Sequence, residues 1–169
     1  SGEANPELGW GRRGETWSFM AALERLGGPA WFRLGDGDLA THHERTRRLA
    51  AGETLAAVTD DFRRRLGIAA RLLPASDDKV RTRLDTVEEG WLDFQDYFVR
   101  LKCEPAVSGF VFEGVETARP SPVLAEALAD RTLEAIIICP SNPFVSVAPI
   151  LALAAVAEAI AARRVPVVA

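Results

Sequence analysis

The sequence predicts an α/β layered fold, and three observations carry that prediction. Segments with strand character alternate with segments of helical periodicity along most of the chain. The run "LEAIIIC" (133–139) is continuously apolar and β-branched, as expected of a parallel strand covered on both faces. The 169 residues, nearly half of them apolar, suffice for one globular core.

The first helix is expected in "GETWSFMAALERLGG", with Trp17, Met20, Ala21 and Leu23 on one side. Gly14 or Thr16 would start it and Gly27-Gly28 stop it. "PAWFRL" (29–34) reads as a short strand. "GDGD" turns the chain, and Asp38 is placed to cap a helix running to about Ala51. Thr54 opens another helix, whose buried stripe is Leu55, Val58, Phe62 and Leu66 and whose end is Gly67. "IAARLLP" (68–74) reads as a strand and "ASDDK" as a loop. "VRTRLDT" alternates with period two, putting Val80, Thr82 and Leu84 on one face, and "VEEGWLDF" turns back as a hairpin. "FQDYFVRLK" fits a strand continuation or a short helix, the helix being preferred, and "AVSGFVFEG" reads as a strand. "SPVLAEALAD" is a helix with Ser121 as cap and Pro122 in its first turn. After "LEAIIIC" come the loop "PSNPFVS", a helix over much of 147–163, and the strand "VPVVA". The whole is expected to be a single domain spanning 1–169.

Composition narrows the function. A net charge of −4 argues against a nucleic-acid platform, and the arginine runs at 45–48 and 62–65 read as solvated helix faces. No uncharged apolar run reaches eighteen residues, so no membrane partner is expected. Cys103 and Cys139 are too few for a disulfide framework or a thiolate metal site, which fits a cytoplasmic setting. The chain starts "SGEANPELGWG" and stops at "RRVPVVA", and it is expected to be the internal portion of a longer protein.

Two constellations carry chemistry. In "IIICPSNPFVS", Ser141 and Asn142 follow a strand end, where open α/β sheets bind ligands. A helix start capped by Ser146 would favour an anion there; a proline-bounded turn is the equal alternative. In "LGDGDLATHHERT", Asp36 and Asp38 could hold Mg²⁺ beside a diphosphate, or simply turn the chain and cap the helix. His42 and Arg45 share a helix face, as acid or base and as phosphate clamp, whereas His43 points elsewhere into solvent. Asp77 and Asp78 read as a surface turn. Neither GxxxxGK[ST] nor GxSxG occurs.

Six blocks together resemble the 2-phospho-lactate transferase (CofD-like) family, whose bacterial members are called phosphoenolpyruvate transferases. They are "GWG" with "ETW" (9–17), "WFRLGDGDLATHHERT", "LLPASDDKVRT", "FQDYFVR", "GVETARPSP" and "PSNPFVSVAPIL". The resemblance implies a Rossmann-like fold with a mostly parallel sheet, incomplete here at both ends. It implies a Mg²⁺-assisted transfer, in coenzyme F-420 biosynthesis, of a phospho-enolpyruvyl or 2-phospho-lactyl group. The donor is a guanosine diphospho compound, the acceptor is a hydroxyl of the deazaflavin Fo, and GMP leaves. It makes Asp36, Asp38 and His42 catalytic candidates and Thr41, Arg45, Ser141, Asn142 and Ser146 substrate-binding candidates; metal ligands and a homodimer stay open. Gly37 stands where the family carries an arginine, so either Arg12, Arg13 or Arg45 would have to replace it or Fo binding is impaired. Cys139 and Ala154-Ala155 stand where the family carries glycine and Pro-Gly. The family's glycine-rich turn and an acidic segment are expected to precede Ser1. The rival readings are a sugar-nucleotide-binding regulator of the related gluconeogenesis-factor family and an inert paralogue.

Overall fold

The structure is a computed structural model and describes residues 14–169. Contacts divide the chain into two compact units, the first ending at Glu53 and the second starting at Thr54. The architecture is mixed α/β.

The first unit holds α1 (Ser18–Arg25) and α2 (Asp36–Ala50). Met20 is buried on α1 as its spacing predicts, and Gly27 ends that helix at φ +77°. The Gly28 and Gly27 amides donate back to the Leu23 and Glu24 carbonyls, a Schellman closure that needs the left-handed residue. Residues 29–34 form no strand. A strand exists only through its ladder, and no other strand is present among the described residues of this unit.

The second unit opens with α3 (Leu55–Arg65), capped by Thr54, whose hydroxyl accepts the Ala57 amide at 3.2 Å. Val58 is fully buried, but Leu66 is exposed because it lies past the helix end, one residue before the left-handed Gly67. Residues 68–74 are irregular rather than a strand. The segment is instead tied at its far end, where Pro74 O accepts from the Ser121 hydroxyl at 2.6 Å and Ala75 O from the Ser121 amide at 2.9 Å.

Strand β1 (Arg81–Thr86) lies between β2 (Gly90–Asp93) and β3 (Val107–Glu113), both antiparallel to it. The tight turn from Thr86 to Gly90 permits only that sense, and the Thr86 hydroxyl fastens it by donating to Gly90 O at 2.9 Å. Leu84, opposite Leu92 and Phe110, is buried on the face that alternation predicts. "FQDYFVR" is helical as read, ending in a wide turn over Asp96–Arg100.

Helix α4 (Pro122–Ala129) starts as expected, with the Ser121 hydroxyl accepting the Leu124 amide. Strand β4 (Ile136–Ile137) pairs in parallel with β5 (Val167–Val168), and the helical crossover between them requires that sense. The sheet expectation is therefore corrected: among the described residues parallel pairing is confined to these two short strands, and the larger sheet is antiparallel. Nor is "LEAIIIC" covered on both faces, since Ile137 is 71 % exposed.

The helix expected over 147–163 is broken. A wide turn over Pro143–Val147 runs into α5 (Ala148–Leu151), and α6 (Ala154–Ala161) follows after a bend of 83°. The alanine-rich run carries no breaker at the bend. The break lies at Leu153, which leaves the helical region (ψ 97°) and is buried with only 2 % exposure. Among the described residues no single helix is long and apolar enough to cross a membrane.

Ser121 has no exposed surface and uses its hydroxyl as donor and acceptor at once. Ser121→Ala is expected to destabilise the second unit by about 1–2 kcal/mol, a lost cap plus an unmet carbonyl. A lower urea midpoint at unchanged slope checks this.

Candidate functional site

The site begins with a shortage of acceptors. The first amides of any helix lack carbonyl partners within it. Neither α1 nor α2 starts with a side-chain cap of its own: Trp17 and Gly35 hold the cap positions. The two helices exchange carboxylates instead. Asp36 Oδ1 accepts the Phe19 amide at 3.1 Å, and Oδ2 accepts the Ser18 amide at 3.1 Å and the Thr16 hydroxyl at 2.6 Å. In return Glu15 Oε2 accepts the Gly37 amide at 2.8 Å.

This overturns the expected division of labour in "GDGD". Asp38 is not the cap; it lies inside the first turn of α2 and makes no side-chain hydrogen bond among the described residues. Asp36, which had no cap role in the sequence, caps another helix. Its pKa lies below the ordinary aspartate value because the Thr16 hydroxyl and then the Phe19 and Ser18 amides stabilise the anion. A carboxylate offers about four acceptor positions; the three bonds here leave one on Oδ1.

Beside it lies a cleft of 620 Å³, lined by Phe19 of α1 and by Asp36, Leu39, Ala40, His42, His43 and Thr46 of α2. His43, assigned to solvent from the sequence, is exposed as expected and also lines the cleft. The spacing 36, 40, 43 puts it on the Asp36 face and was the signal for it. Asp38, Thr41 and Arg45 fall on the adjoining face, and His42 lies at the border. The shared face of His42 and Arg45 is realised as contact, Arg45 Nη2 donating to His42 Nδ1 at 2.7 Å. Arginine has no acceptor, so a neutral His42 carries its proton on Nε2 and can donate from there. Thr41 spends its proton locally, donating to Gly37 O at 3.1 Å. Arg12 and Arg13 lie outside the described residues.

The second unit carries the other candidates. Asn142, not Ser146, caps the turn after β4: its Oδ1 accepts the Phe144 and Val145 amides at 2.9 and 3.1 Å. Those amides are thereby unavailable to an anion. The Asn142 amide nitrogen and the exposed Ser141 and Ser146 hydroxyls remain as donors. Asp77 and Asp78 are more than a surface turn, since Asp77 accepts the Ala56 amide of α3 at 2.7 Å and Asp78 the Arg119 amide at 2.8 Å. The arginine runs are solvated faces only in part: Arg47 pairs with Glu44 and Arg65 with Asp61 at the surface, whereas Arg48 and Arg63 are largely covered and Arg45 turns to His42. Among the described residues no three His, Cys, Asp or Glu side chains converge as a metal cage.

Comparisons with known proteins agree with one another. The sequence model of the family described as 2-phospho-L-lactate transferase CofD matches residues 15–169. A phosphoenolpyruvate transferase of Kitasatospora aureofaciens is 43 % identical over 171 residues, covering 99 % of this chain and 53 % of the relative. One from Mycobacterium marinum is 39 % identical over 173 residues, covering 99 % and 52 %. The chain thus spans about half the length of the curated relatives it matches. In fold it is similar to a crystal structure of a UPF0052 family member from Bacillus halodurans, with TM-score 0.58 and 18 % identity, over 78 % of this chain and 40 % of that one.

Asp36 uses both oxygens as acceptors, whereas asparagine has one. Asp36→Asn is therefore expected to lower the melting temperature, and Asp38→Asn to leave it unchanged. A carboxylate whose folded pKa is depressed stabilises above the unfolded value, and that contribution is lost as pH falls through the folded one. Acid unfolding below the ordinary aspartate pKa should accordingly be shallower in Asp36→Asn, read from melting temperatures across that range.

Proposed function

This chain belongs to the 2-phospho-L-lactate transferase CofD family, and from that premise we propose that the protein it forms part of is a transferase of coenzyme F-420 biosynthesis. It moves a phospho-enolpyruvyl group, in preference to a 2-phospho-lactyl group, from a guanosine diphospho donor to the Fo hydroxyl. The acceptor hydroxyl oxygen bonds to the transferred phosphorus, the bond from that phosphorus to the GMP oxygen breaks, GMP leaves, and the hydroxyl proton passes to the departing GMP phosphate or to water. The observation that carries the reading is the identity of about two-fifths to relatives named phosphoenolpyruvate transferase across nearly the whole chain.

The first unit supports a part for itself in this reaction. A planar ring with a polyhydroxyl tail suits a cleft that offers Phe19, Leu39 and two imidazoles beside one ionised carboxylate. The remaining Asp36 lone pair accepts the hydrogen bond of a ligand hydroxyl. Its depressed pKa makes it an orienting acceptor and a poor base. His42 donates from Nε2. Arg45 keeps most of its donors for a phosphate, and the Thr41 oxygen stays open to a hydroxyl donor. In the second unit Ser141, Asn142 and Ser146 donate to the phosphates of the donor.

Mg²⁺ bound to a diphosphate needs only one or two protein carboxylates. Asp38, whose oxygens are unengaged among the described residues, fits that requirement, and Asp36 does not. The ion supplies neutralisation of phosphate charge, which phosphoryl chemistry needs more than covalent help. We place the reaction in the cytoplasm, where the exposed thiols of Cys103 and Cys139 suit reducing conditions.

The test uses a polypeptide of the relatives' full length that carries this sequence, incubated with Fo, each guanosine diphospho donor and Mg²⁺. GMP release with phosphorylated Fo is expected, faster with the enolpyruvyl donor. Tight sugar-nucleotide binding without turnover would overturn the reading. Asn142→Asp separates phosphate contact from capping, because aspartate caps as well as asparagine but has no amide donor. It is expected to raise the donor KM by about tenfold or more, the size of a lost hydrogen bond to a charged group, at an unchanged melting temperature.

A further inference from the structure

We infer that Glu15 is the positioning residue of the cleft: its carboxylate, seated on Gly35, fixes the first turn of α2 and through Asp36 the place of Phe19. Gly35 is buried with φ −67° and ψ 159°, a conformation open to any residue. Glycine is needed there for space. A Cβ at that position would land on the Glu15 carboxyl group. From this seat Glu15 reaches the Gly37 amide, and the next residue, Thr16, accepts the Asp36 amide on its carbonyl at 2.9 Å.

The contacts are mutual. Residues 15 and 16 fix the start of α2, and Asp36 from α2 holds the Ser18 and Phe19 amides of α1. Without the Glu15 carboxylate the Gly37 amide loses its acceptor, and the space over Gly35 lets the α2 turn shift. Asp36 moves with that turn, and Phe19, whose amide Asp36 holds, moves with it. Glu15 touches no cleft surface in this scheme; it acts through Asp36. The ligand half of the inference rests on the reading of the cleft as the acceptor site, and the geometric half does not.

A double-mutant cycle in the full-length chain tests it, with amide hydrogen exchange at Ser18 and Phe19 and calorimetric binding of Fo as readouts. Glu15→Ala and Gly35→Ala are each expected to speed that exchange and weaken Fo binding about tenfold, the size of one charge-assisted hydrogen bond. Glu15→Gln, which keeps an acceptor oxygen, should stay within about twofold, and the donor KM should hold in every variant. The decisive case is the double variant. The new Cβ then occupies the space the carboxylate left, so Gly35→Ala should add nothing to Glu15→Ala. Additive losses, or faster exchange at Gly37 alone, would overturn the inference. Should Glu15→Ala fail to fold, Gly35→Ala against Glu15→Gln carries the same comparison. Coupled exchange in a protein that binds no Fo would support the positioning and overturn the acceptor reading.

Discussion

The described structure depends on how helix starts obtain acceptors. A helix begins with amides that its own backbone cannot satisfy, and each unmet one is costly when water is excluded. Most starts in this chain are closed by side chains from near or far: Asp36 for α1, Glu15 for α2, Thr54 and Asp77 for α3, Ser121 for α4, and Asn142 for the turn into α5. Three of these partners are carboxylates far along the chain from the amide they meet. Each such bond closes a helix and fixes where another segment lies.

This constraint also sorts the chemistry. A carboxylate that satisfies amides is held ionised and aimed, and is a poor base, as the lowered Asp36 pKa expresses. A helix start that already carries a side-chain oxygen is not a vacant anion site. What remains for ligands among the described residues is therefore specific: one acceptor position on Asp36, the Asp38 carboxylate, the Nε2 proton of His42, most of the Arg45 fork, and the hydroxyl and amide donors at 141, 142 and 146. The set contains acceptors suited to a hydroxylated ligand in the first unit and donors suited to an anion in both.

The reading from pattern was sound wherever the physics was local. The Schellman ends at Gly27 and Gly67, the caps at Thr54 and Ser121, the 86–90 hairpin and the helical "FQDYFVR" all follow from residues within a few positions of one another. The readings that failed required a distant partner or its absence. Residues 29–34 and 68–74 have strand composition but pair with no strand among the described residues. The alanine-rich helix is interrupted at Leu153, which is buried and lies outside the helical region.

The sequence by itself determined the family, through six ordered blocks, and the helix on which the first-unit candidates stand, through the periodicity and capping chemistry of one short segment. It also contained the shared face of His42 and Arg45, because three residues of helix always bring such side chains together. Only the tertiary structure decided what each acidic residue is for. Asp36 and Asp38 are two apart and indistinguishable by type, yet one is engaged by the amides of another helix and the other makes no side-chain hydrogen bond among the described residues. Glu15 and Gly35 gain their meaning only in contact, twenty residues apart, since a glycine kept for space looks in sequence like any glycine in a turn. The physical reason is range: propensity and capping act within a turn or two of helix, whereas an acceptor for an orphan amide can come from anywhere the fold brings it.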